Sequence, residues 1–141
     1  MRRAMIGVVV IGLLASAVFA DYGVNQAIED VASASFVGEE EQDAAGTVVA
    51  PAGDVDGDGD VDFLVTAPLS QENDAGQVYL IIGKATGWDG VQYTSLSAAD
   101  ASFLGEDPND AVGTSAVGVG DMNGDGFDDL VVGAPSNGDA G

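Results

Sequence analysis

The chain has 141 residues, with 24 acidic side chains against three basic ones, and it contains neither histidine nor cysteine. This composition excludes a Ser-His-Asp triad, a thiol nucleophile and a zinc site made of the usual nitrogen and sulfur ligands. A formal net charge of −21 repels phosphate backbones, so we expect no nucleic-acid partner. Hard cations are natural partners of so many carboxylates, although a solvated acidic surface is an alternative. The hydrophobic fraction of 46% predicts a folded chain.

The first twenty residues have the pattern of a secretory signal peptide. Two arginines precede an apolar run from Ala4 to Leu14, and a stretch of small residues ends at Ala20. This pattern predicts cleavage before Asp21 as the first choice, with Ala15-Ser16-Ala17 as a second possible site. A membrane anchor is the alternative, but the run is shorter than the roughly 20 apolar residues that span a bilayer. We therefore expect an exported protein, secreted or at the cell surface, with no transmembrane span in this chain.

The rest of the sequence is a tandem repeat. The pentapeptide Ser35-Phe36-Val37-Gly38-Glu39 recurs further along the chain as Ser102-Phe103-Leu104-Gly105-Glu106. The same offset, without a gap, relates the glycine- and aspartate-rich segments that follow, and about half of the positions between Ser35 and Pro68 are identical to their counterparts. Such a fixed register predicts repeated supersecondary units.

Local patterns within the first repeat predict four short strands. Small and β-branched residues run from Thr47 to Ala52, and the segments from Asp62 to Thr66 and from Gln77 to Ile82 are mostly apolar. A fourth strand is expected over Val91 to Leu96. Four short strands in a repeat of this length favour one blade of a β-propeller over one layer of a solenoid, whose repeats are shorter.

The loop between the first two predicted strands has the pattern of a calcium site. It carries oxygen ligands at alternate positions and glycines that admit positive φ, and such a loop can surround a hard cation at about 2.3–2.6 Å. Positions one, three, five and nine offer side chains, and position seven offers its backbone carbonyl. The predicted ligands are Asp54, Asp56, Asp58, Asp60 (carbonyl) and Asp62 in the first loop, and Asp121, Asn123, Asp125, Phe127 (carbonyl) and Asp129 in the second.

These loops differ from an EF-hand. An EF-hand also begins D-x-D-x-D-G, but it requires a bidentate glutamate at position twelve and flanking helices. Position twelve is Val65 in the first loop and Val132 in the second, in the middle of predicted strands. Ordinary Asp/Gly turns are the alternative, and two copies in one register make that alternative the weaker one. We therefore predict two Ca²⁺ sites that are not EF-hands.

The repeat resembles the FG-GAP repeat of integrin alpha-subunit propellers and their bacterial relatives. Its FG element is Phe36-Val37-Gly38 and its GAP element is Thr66-Ala67-Pro68, with second copies at Phe103-Leu104-Gly105 and Gly133-Ala134-Pro135. Between the two elements lies the family's Gly-Asp-x-Asn/Asp-Gly-Asp-Gly-x-x-Asp loop, complete in both copies. Thr66 replaces the first glycine of GAP, and the FG glycine comes one residue late. Neither departure touches a predicted ligand.

The resemblance implies an all-β fold, a seven-bladed β-propeller of four-stranded antiparallel blades with calcium in some of the loops between strands one and two. It also implies partner binding on the opposite face, in loops that correspond to Ser70–Asp74, Glu39–Ala45 and Glu106–Val112. Because seven such repeats need several hundred residues, we expect this sequence to be a fragment of a longer reading frame. The alternative is that another chain completes the half-blade. The expected divisions are a signal peptide (1–20), a lead-in with the last strand of a preceding blade (21–34), repeat 1 (35–101) and an incomplete repeat 2 (102–141).

Our leading functional hypothesis is a secreted calcium-binding module for cell-surface adhesion or extracellular recognition of a protein or glycan ligand. One alternative is the propeller part of an exported hydrolase that acts on glycans or phosphoesters, and another is a structural surface-layer component. Paired carboxylates can hydrolyse glycosides, but here the repeated aspartates are accounted for as metal ligands. We find no catalytic constellation in the sequence and expect no enzyme.

Overall fold

The computed structural model describes residues 6–11 and 34–138, apart from 72–73 and 86–90. In this part of the chain the secondary structure is β, except for one short 3₁₀ turn, so the predicted all-β class is confirmed. The predicted cleavage site and almost all of the lead-in lie outside the described residues. The elements are β1 (Ile6–Ile11), β2 (Ala34–Glu41), β3 (Val49–Gly53), β4 (Asp62–Ala67), β5 (Gln77–Ile81), β6 (Val91–Ser95), the 3₁₀ turn (Leu96–Ala98), β7 (Ala101–Leu104), β8 (Ser115–Gly120) and β9 (Asp129–Gly133).

A four-stranded antiparallel sheet in the order β3-β4-β5-β7 has the architecture of a propeller blade. At its middle, Val65 of β4 lies opposite Val49 of β3 and Tyr79 of β5. The antiparallel pair β8-β9, in which Val117 lies opposite Val131, repeats the pair β3-β4 at the corresponding positions of the second repeat. The sheets therefore agree with the predicted propeller blades.

The outer strand of this blade corrects the sequence prediction. Val91–Ser95 is a strand, but it pairs in parallel with β2 in a separate sheet, so the prediction that this segment is the fourth strand was wrong. After β6, the 3₁₀ turn buries Leu96, and the chain returns as β7 beside β5, with Phe103 opposite Val78. The blade thus takes its outer strand from the FG element that begins the second repeat.

The apolar run near the N-terminus contributes β1, which pairs antiparallel with β2 and places Ile11 opposite Ala34. β1 lies within residues 1–20, so it is present only in the chain from which no signal peptide has been removed. The signal peptide over 1–20 therefore stays a prediction.

Both faces of the blade are buried. Alternate side chains of β4 and β5 point to opposite sides of the sheet, and each side packs against other strands. Val65, Tyr79 and Ile81 pack on one side in a cluster that includes Phe36 of β2 and Leu96. Leu64, Val78 and Leu80 pack on the other side, in a cluster completed by Ala52 and Ala116 and flanked by Val112, Leu130 and Val132. The blade is therefore packed between β2 on one face and the β8-β9 pair on the other.

Candidate metal centres in the interstrand loops

The first loop runs from Asp54 to Asp62 and is wound by hydrogen bonds to its own carboxylates. Asp54 Oδ1 accepts from the amide of Gly57 at 2.7 Å, and Asp54 Oδ2 accepts from the amide of Gly59 at 3.0 Å. These glycines have φ of 79° and 92°, which L side chains rarely adopt. The carboxylates of Asp56 and Asp58 each accept from the amide two residues further on, at 3.1 and 2.8 Å. The loop is therefore tight, and glycine is required at its turns.

Three of the predicted ligands converge in this loop. One carboxylate oxygen from each of Asp54, Asp56 and Asp58 lies within 4.8 Å of the other two. Asp54 is half-buried, whereas Asp56 and Asp58 are exposed. Three like charges at this separation repel one another, and a cation between them would reverse the sign of the interaction. A donor set made only of oxygens fits a hard cation such as Ca²⁺.

Asp62, the predicted ligand at position nine, is fully buried and is not one of these three. Its Oδ2 accepts from the amide of Val55 at 2.8 Å, and its Oδ1 accepts from the amide of Gly83 at 2.7 Å. Asp62 therefore ties the start of the loop to the chain that leaves β5. This anchoring role was absent from the sequence analysis, whereas the ligand roles of Asp62 and of the Asp60 carbonyl stay predictions.

The second loop, from Asp121 to Asp129, repeats the same winding. Asp121 accepts from the amides of Gly126 at 2.9 Å and Gly124 at 2.6 Å. These bonds, that of Gly126 foremost, hold the pKa of the exposed Asp121 carboxyl below its usual value. Asn123 Oδ1 accepts from the amide of Asp125 at 2.9 Å, which gives the amide side chain the same place in the winding as Asp56. Asp121 therefore keeps its negative charge to a lower pH than an ordinary aspartate does.

The other two predicted side-chain ligands of this loop, Asp125 and Asp129, accept different hydrogen bonds. Asp125 Oδ1 accepts from the amide of Phe127 at 3.0 Å. Asp129 Oδ2 accepts from the amide of Met122 at 2.8 Å, and its Oδ1 accepts from Asn123 Nδ2 at 3.2 Å. Asp129 thus closes its loop as Asp62 does, but in a half-buried position.

The two loops touch each other through Asp128, a residue that the sequence analysis did not single out. Asp128 Oδ2 accepts from the amide of Asp54 at 2.9 Å, and the amide of Asp128 donates to the carbonyl of Asp54 at 3.0 Å. Position eight of the first loop is Val61, so the repeat itself gave no signal. The sequence shows only that Asp128 is acidic where the first repeat has a valine.

Two buried carboxylates lie in the segments that the resemblance assigned to partner binding. Asp43 is 1% exposed and accepts from the amide of Ala45 at 2.9 Å, and Asp110, its counterpart, is 1% exposed and accepts from the amide of Asp107 at 3.0 Å. No role was predicted for either residue from the sequence. They hold the turns of these loops. The acidic run 39–41, expected in a loop, instead forms the exposed end of β2.

The part of the chain that the structure describes contains no helix with the length and hydrophobicity needed to cross a bilayer.

Comparison with known proteins agrees with this fold and these loops. The FG-GAP repeat family matches residues 45–81 and 113–141. Integrin alpha pat-2 of Caenorhabditis briggsae is 36% identical over 106 residues, 75% of this chain and 8% of that protein. Integrin alpha-V of Gallus gallus is 36% identical over 89 residues, and integrin alpha-IIb of Homo sapiens is 34% identical over 89 residues, in both cases 63% of this chain and 8% of the relative.

The sheets and the repeated Asp/Gly loops are therefore FG-GAP propeller repeats. The chain is an FG-GAP repeat protein similar to integrin alpha subunits, and it spans about 8% of the length of the curated relatives named above.

Proposed function

We propose that this chain is a secreted calcium-binding module for adhesion or extracellular recognition. The convergence of Asp54, Asp56 and Asp58 within 4.8 Å is the observation that carries the proposal. The corresponding positions of the second repeat make the same hydrogen bonds. This repetition favours a metal-binding loop over an ordinary Asp/Gly turn. The proposed ligands are Asp54, Asp56, Asp58, the Asp60 carbonyl and Asp62 in one loop, and Asp121, Asn123, Asp125, the Phe127 carbonyl and Asp129 in the other.

Calcium is the cation that the loops suit best. Ca²⁺ accepts six to eight oxygen ligands in flexible geometry, whereas Mg²⁺ demands a smaller octahedral shell and keeps several of its waters. The ligands here are carboxylates, an amide oxygen and carbonyls on glycine-rich loops, with no imidazole or thiolate in the sequence. When bound, the cation would neutralise the crowded carboxylates and thereby hold the connection between β3 and β4, or between β8 and β9, in one conformation.

Calcium should therefore stabilise the folded protein. A ligand that binds only the folded form at 100 times its dissociation constant adds about 2.7 kcal/mol. In a chain with enough blades to fold, we expect millimolar CaCl₂ to raise the melting temperature measured by circular dichroism against an EDTA control. An equal concentration of MgCl₂ should raise it much less. Equal shifts with both metals would indicate screening of the net charge of −21 in place of a coordinated ion.

The recognition role rests on the likeness to integrin alpha subunits. The partner class that we propose is an extracellular protein or glycan. The proposed contact segments are residues 70–74, 39–45 and 106–112, of which 39–41 forms the end of β2. The buried Asp43 and Asp110 give two of these segments defined turns. No enzymatic step is proposed, because the aspartates of the repeated loops are engaged in winding those loops.

Export is a separate part of the proposal. The basic start and the apolar run to Leu14 should direct the chain through the secretion machinery, which would remove residues 1–20. N-terminal sequencing of the protein from the culture medium should then begin at Asp21. Recovery of the chain from the cytoplasm with Met1 intact would contradict both the export and the extracellular role.

A further inference from the structure

We propose that Asp128 couples the two loops, so that ordering of the second loop positions Asp54, the first ligand of the first loop. Asp128 is thus a positioning residue and not a ligand. The inference rests on the proposed calcium function and adds that the two sites bind cooperatively.

The contact between the loops has two hydrogen bonds at one residue. The amide of Asp54 donates to Asp128 Oδ2 at 2.9 Å, and the carbonyl of Asp54 accepts from the amide of Asp128 at 3.0 Å. Both polar backbone groups of Asp54 are therefore held by the neighbouring blade. The side chain of Asp54 in turn accepts from Gly57 and Gly59. A displacement of Asp128 would consequently move the residue around which the first loop is wound.

The last residue of β3, just before the first loop, leaves space for the Asp128 carboxylate. Gly53 has φ of 89°, and a Cβ at this position would lie 2.7 Å from Asp128 Cγ. A side chain at residue 53 would therefore displace Asp128. The close approach at Gly53 is therefore part of the contact between the two loops.

The position of Asp128 in its own loop makes it sensitive to the state of that loop. It lies between Phe127, whose carbonyl is a proposed ligand, and Asp129, the ligand at position nine. The ring of Phe127 adds a second contact, because its edge lies 2.9 Å from where a Cβ on Gly57 would be. Closure of the second loop around a cation would fix residues 127–129 together and would therefore fix both contacts with the first loop.

Coupling of this kind is reciprocal, since each site must alter the affinity of the other by the same factor. Couplings between sites commonly correspond to about 5- to 150-fold in affinity. The contacts here are half-exposed, so we expect the lower end, about fivefold.

The test is a calcium titration of the full chain labelled with ¹⁵N-glycine. Amide signals of Gly57 and Gly59 report the first loop, and those of Gly124 and Gly126 report the second. In the wild-type background, Asp125→Ala should abolish binding at the second loop and weaken the first loop about fivefold. In the Asp128→Ala background, Asp125→Ala should leave the affinity of the first loop unchanged.

The control for Asp128→Ala is Val61→Ala, which changes the same position of the first loop, where the side chain is 66% exposed. This variant should preserve the coupling. The link would be overturned if Asp125→Ala weakened calcium binding at the first loop about fivefold in both the wild-type and the Asp128→Ala backgrounds. It would also be overturned if Asp125→Ala left that affinity unchanged in both. If calcium moves none of the glycine signals of the wild type, the proposed calcium function itself fails.

A second measurement avoids substitution of Asp128. In Asp58→Ala only the second loop keeps its full ligand set, and calcium should then slow amide hydrogen exchange at Asp54, because that amide donates to Asp128. Exchange at Asp54 that calcium leaves unchanged, while Gly124 and Gly126 respond, would overturn the link even if Asp128→Ala does not fold.

Discussion

Replacement of Asp62 by alanine should destabilise the first blade by about 3 kcal/mol, because the buried carboxylate accepts two backbone hydrogen bonds and each charged bond is worth about 1.5–3 kcal/mol. The amides of Val55 and Gly83 would lose their partner, and the loop would lose its tie to the end of β5. Urea denaturation in EDTA measures the change without any contribution from bound metal.

The matched control is Asp129→Ala, at the same position of the second loop. Asp129 is half-buried, and its partners are the amide of Met122 and the side chain of Asn123. We expect a loss of only about 1 kcal/mol, since the freed groups can bind water. Equal losses for the two variants would show that burial and the link to Gly83 do not matter.

Replacement of Leu64 by alanine should cost about 2–5 kcal/mol, the range for a buried leucine whose cavity cannot collapse. Leu64 is fully buried on β4 and packs with Val78, Leu80 and Ala116, in the cluster that joins the blade to the β8-β9 pair. The loss should therefore appear both as a lower urea midpoint and as faster amide exchange in β8.

Leu69→Ala provides a control of identical chemistry, because Leu69 is 47% exposed. Its effect should stay within about 0.5 kcal/mol. A loss at Leu69 as large as that at Leu64, or a change at Leu64 that leaves β8 exchange unaltered, would contradict the packing of the two sheets through this cluster.

The sequence predicted β3, β4 and β5 well, because their apolar runs are bounded by glycine, aspartate and proline. It placed the outer strand wrongly. Val91–Ser95 has good local strand propensity, but a strand's neighbour is decided by tertiary packing, here the burial of Leu96 and the pairing of Phe103 opposite Val78. Local patterns contain no information about which sheet a strand joins.

The metal loops were recognised because the spacing of their aspartates is itself the chemical signal. The different roles of those aspartates were not predicted, because the residue type is the same in each role. Asp54 accepts hydrogen bonds from amides within the loop, whereas the buried Asp62 anchors the loop to Gly83. Asp128 could not be identified, because its partner lies 74 residues away on the neighbouring blade.

Calcium binding by both loops is the central claim, and titration calorimetry of matched variants tests it most directly. Asp58→Ala and Asp125→Ala should each remove one equivalent of bound calcium relative to the wild type, and the double variant should lose two, while Val61→Ala should lose none. If the double variant binds as much calcium as the wild type, with the same affinity, the loops are ordinary acidic turns and the account is wrong.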